Sequence, residues 1–340
     1  MVCGCGIDDL IIATRRLVKW VDAVYPRGVL MLRHLEELAG LDEPLHLALG
    51  VFDGVHLGHR AVIGAAVEAA RREGGMVGLL TFHPHPIRVI APGKAPAMML
   101  TTLGQKMDLA RGLGIEFFVA LNFDAEMAAM EAADFLGRLC RAEVRTIAVG
   151  EDWRFGRGRL GDVAFLKAES QRHGYRLVAV PPVMVEGDRI SSTRIRQAIR
   201  DGNLAAAERM LGRAHAVRGE VLKGAQLGHQ LGFPTANLSV AELQVPPDGV
   251  WVVRARVNHG DWMPAVANLG LRPTIKGEQQ RLLEVHVLDF SGDLYGCDIE
   301  VEFVRHLRGE QKFSGLDELK AAIALDAQAA REHFAGRAES

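Results

Sequence analysis

From about Pro44 to Arg200 the chain alternates short apolar runs with stretches of helical period, and no other feature limits its possible folds so strongly. Leu45 to Phe52 is one such run, followed by Val62, Ile63, Ala66, Val67 and Ala70 at helical spacing. Met76 to Phe82, Ile115 to Leu121, Val144 to Val149 and Arg176 to Val180 read as further strands. Helical segments such as 132–141 and 162–173 separate them. Such alternation predicts a parallel sheet covered by helices on both faces. Ligands of such sheets bind at the carboxyl ends of the strands.

The pattern then changes. A short helical piece over 204–211 ends at Gly212, and from His215 to about Leu307 the chain reads as successive strands. Trp251, Val253, Ala255 and Val257 fall on one face of an extended segment. Ile299, Val301 and Phe303 alternate with Glu300 and Glu302. Short strands separated by turn signals predict a small antiparallel barrel or sandwich. A last helix follows, with a capping box over Ser314 to Asp317 and an apolar stripe of Leu316, Leu319 and Ile323. The expected division is an N-terminal extension over 1–43, an α/β domain over 44–202, a linker over 203–214 and a β domain over 215–334.

Composition excludes some partners. The net charge of −2 gives no electrostatic case for nucleic acid or acidic lipid. No apolar run approaches the roughly 18–20 residues that span a bilayer. The start, MVCGCGIDDLIIATRR, lacks the plan of a secretory signal, so a cytoplasmic protein is expected. The four cysteines, Cys3, Cys5, Cys140 and Cys297, are too sparse for a disulfide framework and read as free thiols.

The stretch GVFDGVHLGH, residues 50–59, leaves the first strand at the ligand-binding edge. Glycines let backbone approach a phosphate, and the following helix start presents free N–H groups to it. His56 and His59, three apart, share one helix face and can donate to phosphate oxygens as charge grows in a displacement at phosphorus. A metal-binding pair, completed by the histidines of TFHPHP, Thr81 to Pro86, and plain solvated histidines are the rival readings. The Thr81 to Pro86 segment also reads as a proline-fixed wall at the end of the second strand.

Arg189 to Arg196, RISSTRIR, reads as a helix start rich in hydroxyls and guanidinium groups. Ser191 or Ser192 serves as an ordinary N-cap in one reading. In the other, arginine forks, hydroxyls and backbone donors clamp a triphosphate or a leaving pyrophosphate. Gly156 to Gly161 matches G-x-G-x-x-G in form, but residues 151–155 separate it from the preceding strand. It reads as a basic loop beside a nucleotide pocket and not as a dinucleotide fingerprint.

GVFDGVHLGH, TFHPHP, VGEDWRFGRGRLGD and RISSTRIR, in this order, resemble the N-terminal module of the bacterial bifunctional riboflavin kinase/FAD synthetase family. That module is related to nucleotidyltransferases with an H-x-G-H type motif. GHQLGFPTAN (228–237), NLGLRPT (268–274), EVHVLDF (284–290), DLYG (293–296) and the segment 303–313 continue the resemblance, which covers about residues 44–333. It implies a Rossmann-like α/β nucleotidyltransferase domain with a parallel sheet, then an all-β antiparallel barrel with a terminal helix.

The resemblance implies two ATP-dependent reactions: riboflavin to FMN in the second domain, and FMN to FAD with release of pyrophosphate in the first. Riboflavin, FMN, ATP and FAD are the implied partners, and Mg²⁺ the implied cofactor. In the second domain, Thr235 and Asn237 would hold Mg²⁺, Gly228, Gly232 and Pro234 would shape the ATP site, and Glu284 would be the base. Period-two counting agrees, setting Glu284 and His286 opposite Leu283, Val285 and Val287. In the first, His56 and His59 would stabilise the α-phosphate, and Gly50, Phe52 and Gly54 would form the nucleotide loop. Arg189, Ser192, Thr193 and Arg196 would bind the outer phosphates, and Asp152 the flavin or nucleotide. His83, His229, Trp153 and Trp251 depart from the residues expected at their positions. A regulatory or monofunctional homologue with one inactive site is the alternative reading.

Overall fold

The structure is a computed structural model that describes residues 24–25, 29–94, 98–222, 233–273 and 279–338. The chain forms two compact units, one built from residues 1–96 and 106–184, the other from 97–105 and 185–340.

The first unit holds a seven-stranded sheet. Its strands are β1 (Val24–Tyr25), β2 (Val29–Leu32), β3 (Leu45–Leu49), β4 (Met76–His83), β5 (Phe117–Asn122), β6 (Val144–Gly150) and β7 (Arg176–Val180). The order is β1-β2-β5-β4-β3-β6-β7, parallel throughout except for β1 on β2. Every residue of β3 is buried, as a strand covered on both faces requires. Buried His46 is tolerated there because Thr146 Oγ1 lies 3.0 Å from its Nδ1 and the Gly74 carbonyl 2.8 Å from its Nε2. The covering helices include α1 (Leu57–Glu73), α2 (Pro86–Ile90), α3 (Leu103–Arg111), α4 (Ala125–Ala129), α5 (Ala132–Leu139) and α6 (Val163–His173).

Part of the segment before Pro44 joins the sheet and core of the first unit. Leu30, Met31 and Leu32 pair with Phe117, Phe118 and Val119, and Leu35 and Leu38 join the core. The Gly156–Gly161 segment is a closed loop in which Phe155 and Gly161 exchange backbone hydrogen bonds, followed by α6 capped at Asp162. It has no strand–turn–helix form.

In the second unit β8 (Met184–Val185) and β9 (Asp188–Arg189) make a two-stranded ribbon before helices α7 (Ser192–Arg200) and α8 (Leu204–Leu211). The stretch expected as a linker is therefore helical, capped by Asn203 and closed at Gly212. A closed antiparallel barrel follows: β10 (Ala216–Leu222), β11 (Ala236–Ser239), β12 (Gly249–Val257), β13 (Met263–Pro273), β14 (Gln279–Val287) and β15 (Asp298–Arg308). Its order is β10-β11-β14-β13-β12-β15. Val217, Leu238, Val253, Ala267, Leu283, Val285 and Val301 fill the interior. Glu300 and Glu302, off the apolar face as their period predicts, pair outside with Arg256 and Arg254.

The final helix, α9 (Leu316–Ala338), differs from its sequence reading in two ways. The side chain that receives hydrogen bonds from Ser314, through both N–H and hydroxyl, is Glu318 and not Asp317. The buried face is Asp326, Ala327 and Ala330, with Phe334 beside them, against Val250, Val252, Val266 and Leu288. Leu316 is exposed, and Leu319 and Ile323 are half-buried, because small alanines allow closer approach to the barrel than a leucine stripe.

Candidate functional site

The order of the first sheet reverses at β3, with β4 on one side and β6 on the other. Loops after β3 and β6 open at the same edge, where ligands of such sheets bind. The first of these loops is residues 50–56. The second carries Asp152, exposed just beyond β6, and Trp153, whose ring stacks on Phe155 at 4.6 Å.

The 50–56 loop is buried and tightly wound. Phe52 (φ +53°), Gly54 (φ +88°) and Val55 (φ +40°) all adopt left-handed backbone. For phenylalanine and a β-branched valine this costs about 1–3 kcal/mol each, which packing around the loop must offset. The Phe52 ring lies under Gly50, and the Phe52 carbonyl accepts from Val55 N–H at 3.2 Å. The winding ends at His56, the N-cap of α1, whose Nδ1 accepts from His59 N–H at 3.3 Å. That bond requires Nδ1 to be unprotonated, so in neutral His56 the proton sits on Nε2. The His56 and His59 rings stack with centroids 3.6 Å apart, and His59 meets Phe52 edge-on at 5.4 Å. Gly58 permits this arrangement, since a Cβ there would stand 3.1 Å from the His56 ring.

Beneath the loop lies a group that sequence reasoning missed. Lys106, on α3, is 7% exposed; its ammonium donates to the Val51 carbonyl at 2.7 Å and Thr81 Oγ1 at 3.2 Å. Burial pushes its pKa down to about 8, against the opposing pull of the Asp53 carboxylate. A lysine in a helix reads as a solvated face, so the signal available was its place beside the apolar residues Met107 and Ala110.

Within Thr81 to Pro86, Thr81 is fully buried and donates to the Val51 carbonyl at 2.9 Å, while His83 is exposed at the strand end and His85 caps α2. No cluster of three or more histidine, cysteine or acidic side chains able to hold a metal occurs among the described residues. The metal reading of the histidines therefore lacks its further ligands.

In the second unit, Ser191 is the N-cap of α7 and accepts from Arg194 N–H at 3.2 Å, which leaves Ser192 and Thr193 in the first helical turn. Arg189 precedes them on β9. Arg196 is buried and its Nε donates to the Met98 carbonyl at 3.0 Å, so part of its fork is structural.

On the barrel, Asn237 of β11 stands opposite Glu284 of β14, and Asn268 of β13 stands opposite Glu284 on its other side. The three form one row on the outer face, since Ala236, Leu238, Leu283, Val285, Ala267 and Leu269 between them are all core. Asn268 Nδ2 donates to Glu284 Oε2 at 3.4 Å. Its Oδ1 is buried without a hydrogen-bond partner among the described residues. Thr235 and Pro234 lie just before β11, where the Pro234 carbonyl is 2.9 Å from His286 Nδ1. Trp251 is buried, with Nε1 donating to the Pro247 carbonyl at 3.1 Å. Gly228, His229 and Gly232 lie outside the described residues.

The first unit thus has the build of a nucleotide-binding α/β transferase domain, and the second carries a carboxylate set among neutral oxygen donors on a closed barrel. Comparison with known proteins gives each part its family. The FAD synthetase family model matches residues 39–194 and the riboflavin kinase model residues 211–334. The bifunctional riboflavin kinase/FMN adenylyltransferase of Escherichia coli strain K12 is 41% identical over 290 residues, 85% of this chain and 92% of that protein. The protein of the same description from Bacillus subtilis strain 168 is 34% identical over 85% of this chain and 92% of its own. A solved structure described as a macrolide-efflux protein from Streptococcus pneumoniae superposes with a TM-score of 0.76 at 30% identity, covering 89% of this chain and 99% of that one. No described helix of this chain is long and apolar enough to cross a membrane. The chain belongs to the bifunctional riboflavin kinase/FMN adenylyltransferase family.

Proposed function

We propose that this enzyme makes FMN at the Glu284 row of the barrel and converts FMN to FAD at the His56–His59 loop of the α/β unit. The observation that carries the kinase assignment is the row Asn237–Glu284–Asn268, which presents one carboxylate between two amides. Glu284 takes the proton of the riboflavin 5′-hydroxyl as that oxygen attacks the γ-phosphate of ATP. Asn268 holds the carboxylate through its amide donor. Thr235 and Asn237 would hold Mg²⁺; bound there, it supplies charge neutralisation on the ATP phosphates. The donor set fits a hard cation, since both are neutral oxygens that leave room for water and phosphate ligands. The unpartnered Asn268 Oδ1 adds a further oxygen on the same face.

In the first unit, an FMN phosphate oxygen attacks the α-phosphate of ATP and pyrophosphate leaves. No covalent enzyme intermediate is needed, so catalysis is positioning and charge stabilisation. His56 Nε2–H and the His59 ring face the growing charge on the α-phosphate, and Gly50, Phe52 and Gly54 shape the loop that receives the nucleotide. Asp152, at the same sheet edge, contacts flavin or nucleotide. By the family resemblance, Arg189, Ser192, Thr193 and Arg196, at the start of α7, would bind phosphate oxygens. The intact set His56, His59, Thr235, Asn237 and Glu284 favours two working sites over a regulatory homologue with one inactive site.

The test is a time course with riboflavin, ATP and Mg²⁺, the flavins resolved by chromatography. FMN is expected first and FAD later. FMN without FAD would refute the adenylylation half, and unchanged riboflavin the kinase half.

A further inference from the structure

The loop that winds through Phe52, Gly54 and Val55 is gripped from below at the Val51 carbonyl. Val51 is the second residue past β3, and its oxygen receives two side-chain donors, Lys106 Nζ at 2.7 Å and Thr81 Oγ1 at 2.9 Å. Lys106 also donates to Thr81 Oγ1 at 3.2 Å, which closes the three groups into a triangle. Two elements, β4 and α3, thereby grip one backbone oxygen at the point where the chain leaves the sheet. Asp53, two residues on, is 4% exposed and is the carboxylate whose field acts on the ammonium.

Such a grip has a cost that a purely structural contact would avoid. An ammonium under a loop loses its water, and a methionine of similar length would fill the space without that loss. The two left-handed side-chain-bearing residues also work against the loop's own conformation. Both costs are met where the payoff is the fixed placement of His56 and His59, the next polar side chains along the chain. The stacked rings leave little room, because even a Cβ at Gly58 would stand 3.1 Å from the His56 ring.

We infer that Lys106 is a positioning residue for adenylyl transfer, whose ammonium pins the Val51 carbonyl and so sets the Phe52–Val55 winding that aims His56 and His59 at the α-phosphate. The inference rests on the reading of the two histidines as stabilisers of that phosphate. Lys106 touches neither substrate nor reacting atoms; it acts through the loop. With its pKa near 8 it is charged at neutral pH, so the grip is ionic under ordinary conditions.

The experiment uses the full chain and compares Lys106→Met, Lys106→Gln, His59→Ala and the double variant Lys106→Met/His59→Ala. Riboflavin phosphorylation is measured beside FMN adenylylation in each. Lys106→Met is expected to lower the adenylylation kcat about 10-fold to 100-fold, the range a misplaced catalytic group produces, with KM for ATP within about threefold. Lys106→Gln keeps an N–H for Val51 and is expected to recover part of the loss. The double variant is expected to lose less than the product of the two single losses, because one of the two histidines that Lys106 positions is already gone. Riboflavin phosphorylation is expected to be unchanged throughout.

Adenylylation within twofold of wild type in Lys106→Met, or losses that multiply in the double variant, would overturn the inference. Should Lys106→Met lose its cooperative melting transition, Thr81→Val is read by the same criteria, since it removes the other donor to Val51 without touching the lysine. His59→Ala with normal FAD formation would instead refute the histidine reading itself, whatever Lys106→Met does.

Discussion

The imidazoles of His56 and His59 stack with centroids 3.6 Å apart and planes 16° from parallel, locked by the hydrogen bond from His59 N–H to His56 Nδ1. One side chain thus caps α1, while the second rests on the first and on Phe52. On the reading proposed for them, the pair is a preorganised set of donors, which needs no rearrangement when charge grows on a phosphate.

His59→Ala should lower FAD formation about 10²–10³-fold, the usual cost of a lost transition-state donor, and leave FMN formation intact. Gly58→Ala should act in the same direction, since its Cβ would crowd the His56 ring at 3.1 Å. Separate initial rates for the two flavin products check both. Loss of FMN formation in either variant would break the division of labour between the two units.

Glu284→Gln should do the reverse, abolishing most FMN formation while added FMN is still converted to FAD. General-base removal costs about 10²–10⁴-fold. Asn268→Ala should lower the same rate by about 10-fold to 100-fold, because it frees the carboxylate that the amide orients. If Asn268→Ala changed only KM for ATP, the asparagine would belong to nucleotide binding and not to the base.

Which parts of this were legible in the sequence depended on whether a residue's partner was local. The parallel sheet followed from alternation along the chain, and the outward face of Glu284 from counting by two along a single strand. The His56–His59 pair followed from helical spacing. Lys106 did not, because its meaning lies with Val51, in the loop after β3, and Thr81, on β4, which are 55 and 25 residues away in sequence. Asn268 was visible as part of a motif but acquires a role only from register with Glu284 across β13 and β14. The strand Val29–Leu32 is too short to carry a period and is defined by its pairing with β5. Arg196, read as a phosphate ligand, also holds the Met98 carbonyl, a contact about a hundred residues back.

Acid should weaken the barrel unit through His215. This ring is buried against Phe303 with Nε2 2.7 Å from the Gln244 carbonyl, and burial pushes its pKa down to about 4. The unfolded chain, with an ordinary histidine, binds a proton between about pH 6.5 and pH 4 that the folded chain does not, so stability falls as pH falls through that window. The group's share reaches about 3 kcal/mol at the acid end. Thermal melting from pH 7 to pH 4 should show the decline, and His215→Gln should flatten it. An equal slope in the variant would assign the acid sensitivity elsewhere.

The last prediction concerns the join between α9 and the barrel. Arg308 of β15 meets Asp326 of α9 through two parallel bonds, Nε to Oδ1 at 3.0 Å and a terminal nitrogen to Oδ2 at 2.6 Å. Asp326 is 8% exposed and sits beside the alanines that pack on Val250 and Val266. Fork-to-fork geometry is the strong form of this pair, but both ions have lost water, so the pair's net worth is smaller than the damage done by breaking it. Asp326→Ala should therefore destabilise the barrel unit by about 2–4 kcal/mol, leaving the half-buried Arg308 guanidinium without its carboxylate. Leu325→Ala, one residue earlier but 71% exposed, should change stability by less than about 0.5 kcal/mol. Urea unfolding followed by a barrel probe such as Trp251 fluorescence measures both. Equal effects from the two substitutions would mean that α9 is held by its apolar contacts and not by the Arg308–Asp326 fork.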